Sequence, residues 1–522
     1  MQEISKNPYL DELKLALPRI LSLIDRDETS ASYGNCDRYH WAWGLIDFSN
    51  ATFQGVTHGM ARLWADGLWP YQTNEKIFIS RINSIFLATK AITRRDGSLE
   101  EAFPNEGSYC VTALVAFDLL CTVDLLKSII NDRVLKSWLN IINPLIGFLI
   151  KNSETHAIIS NHLATAIAAL VRWHQVANDE DALLKAELLL KLIFKHQSAD
   201  GWFKEYEGAD PGYQSLCVYY LSDVYIQKPD WDMLEPLRKS FKFLWYFAHP
   251  DGSFGGLYGS RCTRFYYPCG VLTLANEIPE AAALASFMEE AIISKRVVTL
   301  ASIDEPNLIP MFNSYAWAAS ICSHNIISTV KEKIPALSIT PFQKFFPCSG
   351  LFIDRGAFHY SIVATKKGGV VYHFVNQQLN ALNAGVVVQN SFGDYGSSQA
   401  HNEFDFAGCY NNKITVKGPI IRMPKDIPRP LQFIILRLLS ITIFHVPILR
   451  EWIKRQLVKY LITKKKYWPC NNTRTVVLGS DLKIVDELQL ATGYKHAKHI
   501  KYFVPIHMAS QGYWQIQDEL DK

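Results

Sequence analysis

Five polar side chains recur along the first half of the chain at nearly constant spacing. His58, Tyr109, Asn161, Tyr213 and Arg264 are separated by 51, 52, 52 and 51 residues. Three of them follow a similar loop by 13 residues: Arg95-Asp96-Gly97-Ser98-Leu99, Ala199-Asp200-Gly201-Trp202-Phe203 and Pro250-Asp251-Gly252-Ser253-Phe254. A period of about 50 residues holds two helices and two loops. Helical hairpins of this kind bury their apolar faces only by stacking on one another. If the stack curves around an axis, equivalent loops fall on one rim and residues at equivalent inner-helix starts line one cleft. The spacing therefore predicts an (α/α) toroid.

Local pattern agrees over residues 10 to 330. Leu119, Leu120, Val123, Leu126 and Ile130 recur at helical steps, as do Leu183, Leu184, Leu188, Leu189 and Leu192. After Pro335 the texture changes. Gly350–Arg355, His359–Ala364 and Val370–Phe374 are short, β-branched or aromatic runs, and Lys366-Lys367-Gly368-Gly369 reads as a hairpin turn. The expected architecture is α+β and multidomain: a toroid over 1–337 and an antiparallel β-sandwich over 338–522. A helical insertion at about 425–466 interrupts the sandwich. It carries ten basic residues against two acidic ones and an apolar run from Phe433 to Phe444. That run is shorter than the roughly 20 residues needed to span a bilayer. Two readings stand: a helical pair resting on an anionic membrane surface, or an insertion packed on the sandwich with a solvated basic face.

Composition excludes several classes. With 48 % apolar and 20 % charged residues the chain is globular, and its net charge of +3 argues against a nucleic-acid binder. The ten cysteines are scattered, with no CxxC and no zinc-type Cys/His spacing. They read as reduced thiols. The start, Met1-Gln2-Glu3-Ile4-Ser5-Lys6, has no apolar signal segment. The expected location is cytoplasmic, with peripheral contact at the inner membrane through 425–466.

Each repeat residue also has a local explanation. Asn161 precedes an apolar run and suits a helix N-cap; His162 and Tyr213 suit a satisfied interior. Their common phase favours a shared site. Around them, Asn35–Phe48 is dense in aromatic and polar groups, including Arg38, Trp41 and Trp43, and Gln54 follows closely. This segment reads as a sugar-binding wall or as an inward-packed helix. Tyr258, Arg261 and Arg264 sit together in Gly255–Arg264, where guanidinium forks match carboxylates.

Three stretches resemble the heparinase II/III-like polysaccharide lyases and related alginate lyases. Asn161-His162 opens the apolar run Leu163–Leu170; Asp200-Gly201-Trp202-Phe203 leads to Pro211-Gly212-Tyr213-Gln214; and Gly385–Tyr395 leads to Gln399-Ala400-His401-Asn402. The family's His-rich segment with an acid reads Tyr372-His373-Phe374-Val375-Asn376 here, and only His373 remains. The resemblance implies removal of the C5 proton of a uronic acid in an acidic polysaccharide, then loss of the 4-O-glycosidic oxygen. It implies Tyr213 as base and acid, and Asn161, His162 and Arg264 at the substrate carboxylate. Tyr109, His58, Arg261, Tyr258, Arg38, Trp41, Trp43, Gln54, His373 and His401 would bind substrate. The scheme requires no metal or cofactor. A uronate epimerase begins with the same step. A glycoside hydrolase on the same toroid is an alternative, with Asp37, Asp47, Glu106 and Asp210 as candidate carboxylates; a non-catalytic glycan-binding protein at the membrane is another.

Overall fold

The computed structural model describes residues 7–154, 157–324, 332–400, 405–410, 412–423, 429–458 and 465–505. The helices are α1 (Pro8–Leu21), α2 (Arg38–Trp41), α3 (Val56–Ala65), α4 (Glu75–Ile92), α5 (Tyr109–Leu126), α6 (Asp132–Lys151), α7 (Ser160–Ala177), α8 (Glu180–Lys195), α9 (Pro211–Gln227), α10 (Leu234–Leu244), α11 (Pro268–Thr273), α12 (Pro279–Ile293), α13 (Glu305–His324), α14 (Pro430–Thr442) and α15 (Pro447–Val458). The strands are β1 (Phe342–Phe346), β2 (Leu351–Arg355), β3 (His359–Ala364), β4 (Val370–Val375), β5 (Gln378–Asn383), β6 (Val387–Asn390), β7 (Tyr395–Ser397), β8 (Asp405–Tyr410), β9 (Lys413–Arg422), β10 (Tyr467–Val477), β11 (Lys483–Gln489) and β12 (Tyr494–His496).

The helices close a ring. α3 packs on α5, α5 on α7, α7 on α9, α9 on α11, α11 on α13, and α13 back on α3. Outside them, α6, α8, α10, α12 and α1 lie on α5, α7, α9, α11 and α13. An inner helix has neighbours on every side, so α5 is buried along nearly its whole circumference. Outer helix α6 instead buries one stripe, including Trp138, Ile141, Ile142, Leu145 and Leu149. Both are long and apolar enough to cross a bilayer, and ring packing accounts for the apolar surface of α5.

The recurring Asp-Gly loops are scaffold. Gly97, Gly201 and Gly252 hold φ of 86°, 101° and 93°, a region that favours glycine. A Cβ at Gly97 or Gly201 would also strike the carbonyl of Pro144 or Lys239. The repeat recurs because each loop must turn tightly against the next outer helix.

The strands form two antiparallel sheets. One is the meander β1-β2-β3-β4-β5; the other runs β11-β10-β9-β7-β6-β12, with β8 beside β9. Phe352, Val363 and Val371 of the first meet Ile414, Val416 and Val476 of the second, so the sheets stack face to face. The first sheet's other face, including Ile353, Ile362 and Tyr372, joins the helical core. Both faces being covered, β3 is buried at every position. Tyr360 donates to Tyr246 O at 2.6 Å, and Lys367 Nζ donates to Leu257 O at 2.7 Å, tying this sheet to toroid loops.

The insertion departs from the reading that packs it on the sandwich. α14 and α15 leave the chain between β9 and β10 and lie on the toroid rather than on the sandwich. Asn105 Nδ2 donates to Ser440 O at 2.9 Å, Phe103 meets Phe444 with ring centroids 5.6 Å apart, and Arg450 pairs with Asp96 at 3.1 Å. Acidic loops on the ring's rim draw the basic helices there.

Candidate active site

Inner helices α5, α7 and α9 begin on one rim. Ser108 caps α5, accepting from Val111 N at 3.3 Å. Asp210 caps α9, accepting from Tyr213 N at 3.1 Å, with Pro211 at the first helical position. α7 has no side-chain cap. Ser160 anchors its start instead, donating from N and Oγ to Lys204 O at 3.0 and 2.7 Å. Asn161 is therefore not an N-cap. Its Nδ2 donates to both carboxylate oxygens of Glu205, at 2.9 Å each.

These helix starts surround a cavity of about 310 Å³. Tyr109, Asn161, His162, Tyr213 and Arg261 line it, joined by Glu101, Glu106, Glu154, Tyr206 and Lys454. The Arg261 guanidinium lies 4.2 Å from the Tyr213 ring centroid and 4.8 Å from that of Tyr206. Its Nη1 donates to Glu205 Oε1 at 3.0 Å. Asp210 also accepts from Arg261 N at 2.9 Å and from the Thr263 hydroxyl. One carboxylate thus fixes both the helix that presents Tyr213 and the loop that presents Arg261.

The cavity is electrostatically uneven. Burial works against charge on Arg261, but Tyr213, Glu205, Tyr206 and Asp210 outweigh it and hold the guanidinium firmly protonated. Burial likewise opposes charge on His162, yet its hydrogen-bonded neighbours Cys110 and Glu154 raise it well above the ordinary histidine value. The Cys110 thiol is itself pushed up by burial, so Glu154, at 2.6 Å from Nδ1, is the anion that keeps this imidazolium charged. Glu205 is raised by burial, with Arg261, His162 and Asn161 pulling the other way. Glu106 is raised to about 7, by burial first and then by Glu101, against the pull of Lys454. Tyr206 holds φ at 57°, a strained backbone conformation at the cavity wall.

Several sequence candidates lie elsewhere. Arg264 does not line the cavity; its Nη2 donates to the Tyr502 hydroxyl at 3.2 Å. α9 begins two residues before Tyr213, whereas α11 begins four residues after Arg264. The loop ahead of α11 is longer, so the repeat slips out of phase at Arg264, and the arginine that lines the cavity is Arg261 from within that loop. His58 is fully buried within the ring, with Nδ1 3.0 Å from Asp118, and burial depresses its basicity. Gln54 is a core strut, accepting from Cys36 N at 2.7 Å and donating to Ile85 O at 3.1 Å. Tyr258 is buried against His249 Nε2 at 2.7 Å. Arg38 stacks on Trp41 at 5.0 Å, Trp41 donates to Leu23 O at 2.8 Å, and Trp43 is 81 % exposed; none lines the cavity. His373 faces the space between the sheets, because alternation along β4 sends Tyr372 and Phe374 to the helices; it pairs with Ser361 at 2.8 Å. His401 lies outside the described residues. Of the carboxylates considered for hydrolysis, Asp37 caps α2, Asp47 pairs with Arg437 and Asp210 caps α9; only Glu106 lines the cavity.

Sequence reasoning missed Glu154, Glu205, Tyr206 and Lys454 as site residues. Glu205 and Tyr206 fall in the loop paired with the start of α7, through the bridge between Ile159 and Glu205. Lys454 arrives from the insertion, whose docking no local pattern discloses.

No family model matches the chain, and no curated protein matches it. Among solved structures it is similar to a Paenibacillus xanthan lyase, at 10 % identity and TM-score 0.47 over 79 % of this chain and 45 % of that one. It is also similar to a chondroitin AC lyase from Streptomyces coelicolor A3 (10 % identity, TM-score 0.47, 80 % and 66 % covered). A cellobiose 2-epimerase from Bacillus thermoamylovorans matches at 10 % identity and TM-score 0.43, with 60 % and 98 % covered. The chain spans less than half of the xanthan lyase and about two thirds of the chondroitin lyase. Likeness at this distance says nothing of the reaction.

Proposed function

We propose that this chain is a carbohydrate-active enzyme that takes the C5 proton from a uronic acid in an acidic polysaccharide and eliminates the 4-O-linked sugar. The observation that carries this is the Arg261 guanidinium 4.2 Å from the Tyr213 ring, in a cavity also lined by Asn161 and His162. Beside a carboxylate the C5 proton is very weakly acidic, so the site must first stabilise the enediolate that develops. A His162 imidazolium suits that task, with Asn161 beside it held by Glu205. A cation against the Tyr213 ring favours charge on its oxygen, and so favours Tyr213 as base. The C5–H bond then breaks with its proton passing to Tyr213. The electron pair forms C4=C5 as the C4–O4 bond breaks, and Tyr213 returns its proton to O4. General acid–base catalysis of this kind contributes about 10²–10⁴ in rate.

The test is incubation with a panel of uronate-containing polysaccharides. An ultraviolet-absorbing unsaturated product, lost by about 10²–10⁴-fold in Tyr213→Phe, is the expected result. Solvent-deuterium uptake without that absorbance marks epimerisation instead. One observation favours a hydrolase as second reading: Glu106, raised to about 7, shares the cavity with Glu101. A hydrolase would give products heavier by one water, would lose activity in Glu106→Gln and would keep it in Tyr213→Phe.

A further inference from the structure

The insertion wears its apolar side outward. α14 turns Ser440 to the interior, while Leu431, Ile434, Leu438 and Ile441 are 54–66 % exposed. Ile448 and Trp452 of α15 are exposed as well, at 81 % and 59 %. A loop with a still more exposed tryptophan, Trp43, is tied to α14 by Asp47, which pairs with Arg437 at 2.7 Å. Water-facing surfaces of monomers rarely hold so many large apolar side chains together. Helix packing on the ring does not explain them, because the ring contacts run through Ser440, Phe444 and Arg450.

We infer that the outward face of α14 and α15 docks in the plane of an anionic lipid bilayer. Charge selects this occupant. Residues 425–466 carry ten basic residues and two acidic ones. Arg437, Arg450 and Lys465 pair with Asp47, Asp96 and Glu207 of the ring, and the balance of the insertion stays positive after these three pairs are set aside. Length selects the geometry. α14 has 13 residues, about 20 Å at 1.5 Å per residue, too short to span the hydrocarbon core. It lies along the interface, with Trp452 suited to the headgroup level. The same helix pair brings Lys454 to the cavity, where Nζ donates to Gly107 O at 3.3 Å. The docked helix pair therefore also forms part of the cavity wall.

The test is flotation of the full chain with phosphatidylcholine vesicles, with and without phosphatidylglycerol. The chain should float with the anionic vesicles, less at high salt and much less with the neutral ones. Ile434→Asp together with Leu438→Asp should reduce the bound fraction by about tenfold or more. Both positions are exposed, so the circular dichroism spectrum should match the parent's. Tyr213→Phe should float like the parent, which separates failure of this inference from failure of the proposed reaction. No flotation on anionic vesicles, or flotation unchanged in the double variant, overturns the inference. So does a vesicle-free dimer that the double variant dissociates, which would assign the face to a second copy.

Discussion

Arg261→Gln tests whether the site is held by a buried charge network. The side chains of Arg261 and Glu205 are 10 % and 4 % exposed, and their closest atoms are 3.0 Å apart. Solvent screens such a pair little. Removing one partner of a buried ion pair costs about 3–5 kcal/mol, mainly because the other charge is stranded. Arg261 also covers the rings of Tyr213 and Tyr206, and a desolvated cation–π contact is worth about 2 kcal/mol. Arg261→Gln should therefore lower stability by at least about 3 kcal/mol, measured by urea unfolding with tryptophan fluorescence. Adding Glu205→Gln removes the stranded carboxylate. Coupling between contacting residues runs to about 0.5–3 kcal/mol, and here it should be restorative. A single substitution costing under about 1 kcal/mol, or a double variant whose effects simply add, would refute the network.

Two further substitutions probe the surroundings. Glu106 lies near 7 in the folded chain against an ordinary 4.5, so its folded state favours the proton. Its stabilising contribution is full below about pH 4.5 and is lost as pH rises through about 7, on the order of 3 kcal/mol in all; unfolding free energies from pH 4 to pH 8 should fall less steeply in Glu106→Gln, and parallel curves would count against it. Lys367 is 3 % exposed and donates to Leu257 O and Gly259 O, in the loop that leads to Arg261. Lys367→Met removes the ammonium donor from both carbonyls; Gly259 O keeps Cys262 N at 3.1 Å, but Leu257 O is left with only the Cys262 thiol at 3.8 Å, a loss of about 1–3 kcal/mol, and the change should lower kcat more than it raises KM because Arg261 is displaced; unchanged kcat would mean the loop holds its position without the lysine.

Much of the helical ring is written in local pattern. The Asp-Gly turns recur because a tight left-handed bend packed on a neighbouring carbonyl admits little but glycine, as at Gly97 and Gly201. Their period placed Tyr109, Asn161 and Tyr213 at successive inner-helix starts. Strands β2, β3 and β4 stand close to the apolar runs that announced them, since β-branched and aromatic residues suit a pleated surface. The same counting erred at Arg264, where a longer loop carried the repeat out of step. It erred at His58 because depth along a ring, unlike phase around it, leaves no mark in spacing.

Partnership was the part that only folding decided. Glu205 meets Asn161 across 44 residues and Arg261 across 56. Lys454 reaches the cavity from an insertion almost 350 residues beyond Gly107, whose carbonyl it meets. Periodicity reports which way a side chain faces on its own helix, because that follows from backbone geometry within a few residues. Which distant charge it will face is settled by how whole elements dock, and a buried cation acquires its strength from that neighbour alone.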